Sequence, residues 1–138
     1  MTTTTKNARD ECMRKVKKVL DTFPGTGARW PGAEQWEPPS AQSPWWWPTM
    51  QHLNSQQASL SCEHGLRRWQ RDGVITVMCF GKTFAQAEEM AVALREEFEG
   101  SATPGGVWFR NATANEVGPD ASWYRWDFQV NFQYDQVR

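Results

Sequence analysis

One extended segment near the C-terminus constrains this chain more than any other feature. Tyr124, Trp126, Phe128, Val130, Phe132 and Tyr134 alternate there with Arg125, Asp127, Gln129, Asn131, Gln133 and Asp135. Successive side chains of a strand point to opposite faces, so the pattern predicts a strand with one apolar and one polar face. A slip of one residue would turn all the large apolar groups into water, which fixes the register firmly. Burying each of them contributes roughly 1.5–3 kcal/mol before chain entropy is subtracted.

Other periodic segments supply the remaining elements. Ala8, Cys12, Val16, Val19, Leu20 and Phe23 recur at helical steps, a stripe that Asn7 can cap and Phe23-Pro24-Gly25 stops. Ala58, Leu60 and Cys62 alternate with Ser59, Ser61 and Glu63 as a half-buried strand; Leu66 to Arg71 continue it, and Asp72-Gly73 reads as a hairpin turn. The return strand, Val74 to Phe80, is apolar on both faces, so it is central or covered on both sides. Thr83 and Gln86 make a capping box for a second helix with the stripe Phe84, Ala87, Met90, Ala91, Leu94 and Phe98, ended by Gly100. Its last turn carries Glu96, Glu97 and Glu99 against the helix dipole, so packing is expected to hold that end. After a Pro104-Gly105-Gly106 turn, Val107-Trp108-Phe109 opens a third strand, and Gly118-Pro119-Asp120 is expected to reverse the chain into the last.

Between the first helix and the first strand, residues 25–56 carry many prolines and turn formers without sustained period. They also hold Trp30, Trp36, Trp45, Trp46 and Trp47, five of the nine tryptophans. So aromatic a segment fits poorly with disorder, and its length points to a functional arm. Two readings stand. The rings fold over the second face of the sheet, or they meet another copy or a second protein, docking by side chains because proline removes strand donors. The fold class is therefore α+β: a mostly antiparallel four-stranded sheet with two helices on one face, ordered α-β-β-α-β-β, with a long Pro/Trp-rich arm after the first helix. One domain spans residues 1–138, with residues 1–6 expected to be disordered.

A formal net charge of −1 gives no long-range attraction to nucleic acid or an anionic membrane. Cys12, Cys62 and Cys79 lack CxxC spacing and, with His52 and His64 scattered, read as buried reduced thiols in a reducing cytoplasm rather than as a zinc site. The N-terminal segment has no apolar leader, and no span reaches transmembrane length. His64 finds no nucleophile, and Gly25-Thr26-Gly27 neither follows a strand nor opens a helix. No catalytic, cofactor-binding or metal-ligating residue is nominated, so neither an enzyme nor a cofactor is expected.

Several phrases in this order resemble the tail terminator (tail completion) proteins of long-tailed bacteriophages. They are Trp30-Pro31 after the first helix, "PWWWPTMQH", "GVITVMCFGK", "AEEMAVALREEFEG", "GGVWFRNATANEVGP" and "WYRWDFQVNFQYD". The resemblance covers Ala8 to Asp135 as a pattern of elements and apolar positions. It implies a structural virion protein at the head-proximal end of the tail, assembled in the bacterial host cytoplasm. Members form a homo-oligomeric ring, commonly six-fold, that stops tail-tube polymerisation and offers a surface to the head–tail connector. The partners implied are other copies, the tail tube protein and the connector; DNA only passes through the lumen, and no membrane is involved. A closed ring needs a heterologous interface. Candidate interface residues are Trp30, Trp36, Trp45, Trp46, Trp47 and Met50. Asp127, Gln129, Asn131 and Gln133 either line the lumen or form an ordinary solvated face. A head–tail connector or neck subunit shares the same plan, and a tryptophan-based carbohydrate-binding module is the alternative from a different class. Adjacent rings on an extended backbone splay to opposite sides, which counts against a sugar platform.

Overall fold

The computed structural model describes residues 4–33, 36–38, 43–57 and 68–137. In chain order the elements are α1 (Thr5–Leu20), β1 (Gly27–Ala28), β2 (Trp45–Gln57), β3 (Arg68–Gly81), α2 (Phe84–Phe98), β4 (Trp108–Asp120) and β5 (Trp123–Val137). They form one five-stranded sheet, ordered β1-β2-β3-β5-β4. The β1–β2 pair is parallel and the other three are antiparallel, so the sheet is mixed rather than four-stranded.

The alternating segment is β5, in the expected register. Phe128, Val130, Phe132 and Tyr134 are buried, while Gln129 on the other face is exposed. β3 runs beside it as the central strand, and its Ile75, Val77 and Cys79 share the buried face. Both helices pack on that face and close one core, with Ala8, Cys12, Val16 and Val19 from α1 and Ala87, Met90, Ala91, Leu94 and Phe98 from α2.

The largest departure lies in residues 25–56. Trp45 to Gln57 do not form an arm that docks by side chains alone; they are a full strand between β1 and β3. Pro48 is tolerated because of where its nitrogen points. Gly27 N donates to Pro44 O (3.1 Å) and Arg29 N to Trp46 O (2.8 Å), so even-numbered residues of β2 turn their backbone polar groups toward β1. β1 ends at Ala28, so the N–H that proline lacks would have fallen on the outer edge and not in the ladder with β3.

Asp72-Gly73 is likewise no turn. It lies inside β3, paired with β2 on one side and β5 on the other. Glycine is required there for space: β2 bulges between His52 and Asn54 opposite Gly73, and a Cβ on Gly73 would strike the Gln51 carbonyl. The expected strand through Ala58, Leu60 and Cys62, and His64, lie outside the described residues.

Smaller corrections concern ends and turns. Thr4, not Asn7, caps α1: its hydroxyl accepts from Asn7 N at 3.1 Å, which places Thr5 and Lys6 in the helix. The reversal before β5 falls at Ala121-Ser122, between the paired Asp120 and Trp123, with Ala121 at φ 56°. Gly118 instead marks a bulge in β4. The capping box of α2 forms as expected: Gln86 N donates to Thr83 Oγ1 (3.1 Å), and Gln86 Oε1 accepts from Lys82 N (2.8 Å). The acidic end of α2 is not held by packing alone. Glu97 meets Lys18 at 3.0 Å and Lys15 at 3.4 Å across the helix pair. Burial would raise the Glu97 carboxyl, but hydrogen bonds and charge from Lys18 and Lys15 outweigh it and hold the group below the usual range.

Candidate assembly surfaces

The face of the sheet opposite the helices divides into an aromatic end and a polar stripe. At the aromatic end, Trp45 is paired with Phe80 across the β2–β3 ladder, and their rings stack at 4.1 Å with planes 9° apart. Trp36, from the connection before β2, lies 5.1 Å from Trp45, and Trp123 meets it edge-on at 6.4 Å. Phe80 is only 6% exposed although no helix covers it. The apolar outer face of β3 is therefore closed at this end by the chain's own rings. Two cations finish the group: Lys82 Nζ sits 4.0 Å above Trp123, and the Arg29 guanidinium 4.3 Å above Trp47. Trp45 and Phe80 occupy each other's faces, which makes this stack a poor platform for a sugar ring.

The triplet thus splits by strand alternation. Trp46 faces the helices with no exposure, and its Nε1 donates to Met90 Sδ at 3.0 Å. It is a core residue with no surface to offer a partner. Trp45 and Trp47 lie on the open face, half-buried. Trp30 and Met50 are half-buried and pack against the core from its rim; Trp36 is half-buried over Trp45.

The polar stripe follows β5. Arg125 binds Asp127 through two 2.8 Å hydrogen bonds and reaches Asp120 at 3.5 Å. Hydrogen bonding to Asp127 raises the guanidinium pKa further, so the two charges cancel locally. Gln129 is exposed and its Nε2 donates to Thr76 Oγ1 at 3.4 Å; Asn131 is half-buried. Gln133 is 8% exposed, so it is enclosed at the end of the stripe rather than presented. Phe80, Lys82 and Trp123 escaped the sequence reading because only the β2–β3 and β3–β5 pairings bring them beside Trp45.

Both long sheet edges are blunted. β4 carries two bulges and Pro119, and β2 carries Pro48 and its own bulge. Such edges resist addition of another strand. Among the described residues, the exposed large apolar side chains are Leu53, Phe84, Trp108, Val117 and Tyr124.

The two buried cysteines described, Cys12 and Cys79, are free. Burial, with Glu11 adding to it, pushes the Cys12 thiol up to about 12, and burial raises that of Cys79 well above its usual value. Both stay protonated and unreactive. Cys62 lies outside the described residues.

At the other end of β2, His52 Nε2 is 2.8 Å from the Tyr134 hydroxyl, which donates onward to Thr5 Oγ1 at 3.1 Å. This chain links β2, β5 and the start of α1. Burial lowers the His52 pKa, and Arg9 and Arg71 lower it further. The folded form therefore takes up the proton later than the unfolded chain on acidification. Stability is unaffected above the ordinary histidine pKa of about 6.5 and falls as pH drops below it. The melting temperature should hold above about pH 6.5 and decline from there toward about pH 5.5, and His52→Gln should flatten that slope. An unchanged slope in the variant would show that the proton goes elsewhere.

Neither a protein-family model nor a curated protein matches the sequence. Among solved structures, the chain is similar to one from the virion of a native gene transfer agent particle, with 16% identity and a TM-score of 0.45 over 92% of this chain and 93% of that one.

Proposed function

We propose that this chain is a structural protein of a phage-like virion: a tail terminator that forms a homo-oligomeric ring, commonly of six copies, on the head-proximal end of the tail tube. The ring stops tube growth and presents the surface that joins tail to head. The observation that carries this reading is the β5 stripe. Along β5 this open sheet face carries a paired Arg125–Asp127 and the neutral amides Gln129 and Asn131. Arg110 of β4, exposed opposite Asn131, is a cation outside any ion pair among the described residues. A wall so poor in free cations suits a lumen past which DNA slides. Free cations there would hold phosphates and make the DNA stick. Asp127, Gln129 and Asn131 are the residues for that wall, with Gln133 behind them. Blunted edges favour lateral contact by side chains over strand addition, and the phrases from Trp30 to Asp135 carry the resemblance to terminators. Half-buried Trp30, Trp36, Trp45, Trp47 and Met50 are the aromatic and apolar surface available to the neighbouring copy or to the tube.

Polymerising the cognate tail tube protein with and without this chain tests the proposal. Electron micrographs should show shorter tubes with a cap at one end when the chain is present. An unchanged length distribution would sink the terminator reading, and binding to the head connector without any effect on the tube would assign a neck position instead.

A further inference from the structure

The two helices carry opposite charge. α1 has six basic and two acidic side chains, net +4. α2 has four acidic and one basic, net −3, and the acidic Glu99 caps its end. Only part of this is neutralised within the subunit. Lys15 and Lys18 meet Glu97 along the seam between the helices, and Lys6 and Lys17 pair with Asp10 and Asp21 on α1 itself. Among the described residues, Arg9 and Arg14 of α1 make no ion pair, nor do Glu88, Glu89, Glu96 and Glu99.

Arg14 and Glu96 line hollows along the helix seam, and the topology sends others of the surplus charges to opposite sides. α1 packs on β2 and α2; α2 packs on β3, β5 and β4. With the order β1-β2-β3-β5-β4, α1 ends the helix layer on the β2 side and α2 ends it on the β4 side. Lys15, Lys18 and Glu97 mark the inner flanks, so helical spacing puts Arg9, Met13 and Lys17 on the outer flank of α1, where Trp30 lines the same hollow as Met13 and Lys17. The outer flank of α2 carries Phe84, Glu88, Val92 and Glu99, with Arg95 the one base among them. Each flank mixes apolar groups with charge. On α1, Arg9 is the base outside an ion pair, beside Lys17, which Asp21 holds, and Asp10, which lines the same hollow. On α2, Glu88 and Glu99 outnumber Arg95. A flank of that kind complements the opposite flank of an identical subunit and repels its own like.

We infer that the outer flank of α1 docks on the outer flank of α2 of a second copy, head to tail. This deepens the ring reading and rests on it. A head-to-tail contact leaves one basic and one acidic flank free at each step, and rotation between steps closes the circle. Electrostatic complementarity fixes which flanks meet, and Phe84 against Trp30 and Met13 supplies the apolar centre.

Two charge-reversed proteins test it: Arg9→Glu with Lys17→Glu, and Glu88→Lys with Glu99→Lys. All four side chains lie outside the buried core, and circular dichroism melts check that each variant remains folded. In sedimentation at low ionic strength the wild type should associate, and added salt should weaken it. Each variant alone presents two flanks of like sign, so its association should weaken by at least about tenfold. Mixing the two in equal amounts should restore association, because each then finds an opposite flank on the other. Association of either variant equal to wild type, failure of the mixture to recover it, or a wild type that stays monomeric at millimolar concentration would overturn the inference. Variants that still shorten tail tubes as the wild type does would overturn this interface and leave the terminator reading standing.

Discussion

Trp46→Ala should destabilise the subunit by about 3–5 kcal/mol, lowering its melting temperature by roughly 10–15 °C. The indole is fully buried between β2 and the helices, 6.0 Å from the Phe23 ring, with its N–H on Met90 Sδ. Thioether sulfur is a weak acceptor, so the loss comes mainly from the cavity and not from the hydrogen bond. Trp46→Phe, which keeps most of the ring volume, should therefore recover a large part of the stability. The neighbouring positions give the contrast. Trp47 is half-buried under Arg29, and Trp47→Ala should remove a cation–π contact of about 0.5–1 kcal/mol together with some packing. Urea denaturation of the three variants decides the matter. A loss below about 1 kcal/mol for Trp46→Ala would mean that the indole is not a core element.

Gly73→Val should cost about 3 kcal/mol or more, and Gly73→Ala should also destabilise. Replacing glycine by alanine at an ordinary strand position restricts the unfolded chain and stabilises by about 0.4–1 kcal/mol, so the sign of the alanine result separates two effects. At Gly73 the new Cβ would strike the Gln51 carbonyl and come within 2.7 Å of Phe132 Cζ. Both neighbours belong to strands already paired with β3, so neither can retreat without breaking ladder hydrogen bonds. Crowding should win. A Gly73→Ala protein as stable as the wild type would show that the bulge yields and that glycine is not needed for space.

These two positions also show where the sequence was legible. β5 could be read outright because one face is apolar and the other polar from Tyr124 to Asp135, a pattern that only a strand produces. β2 could not. Trp46, Pro48 and Met50 face the helices while Trp45, Trp47 and Thr49 face the other way, so both faces are largely apolar and no alternation remains. Its proline suggested an irregular arm, and only the direction of the Pro48 nitrogen, set by pairing with β1, reconciles it with a strand. Asp72-Gly73 carried a hairpin signal because Gly-containing pairs usually serve turns. Here the glycine serves a close approach between three strands, a tertiary fact with no local signature.

The candidate surfaces divide in the same way. The stripe Asp127, Gln129 and Asn131 followed from periodicity alone, while the enclosure of Gln133 depends on its neighbours. The tryptophan triplet was recognisable as an unusual apolar load, but its division into a core ring and two outer rings needed the register Trp45↔Phe80 and Trp46↔Cys79. The opposed helix charges were present in the sequence as a basic run on α1 and an acidic end on α2. Their placement at opposite sides of the layer follows from the crossover that sets β5 between β3 and β4.

The most direct test of the central claim is a cryo-electron microscopy reconstruction of the cognate tail tube end with this chain bound. The account predicts a closed ring at the head-proximal end, with the β5 stripe toward the axis and α1 of each subunit against α2 of the next. A ring with the helices lining the lumen, or a tube end carrying no density for this chain, would contradict it.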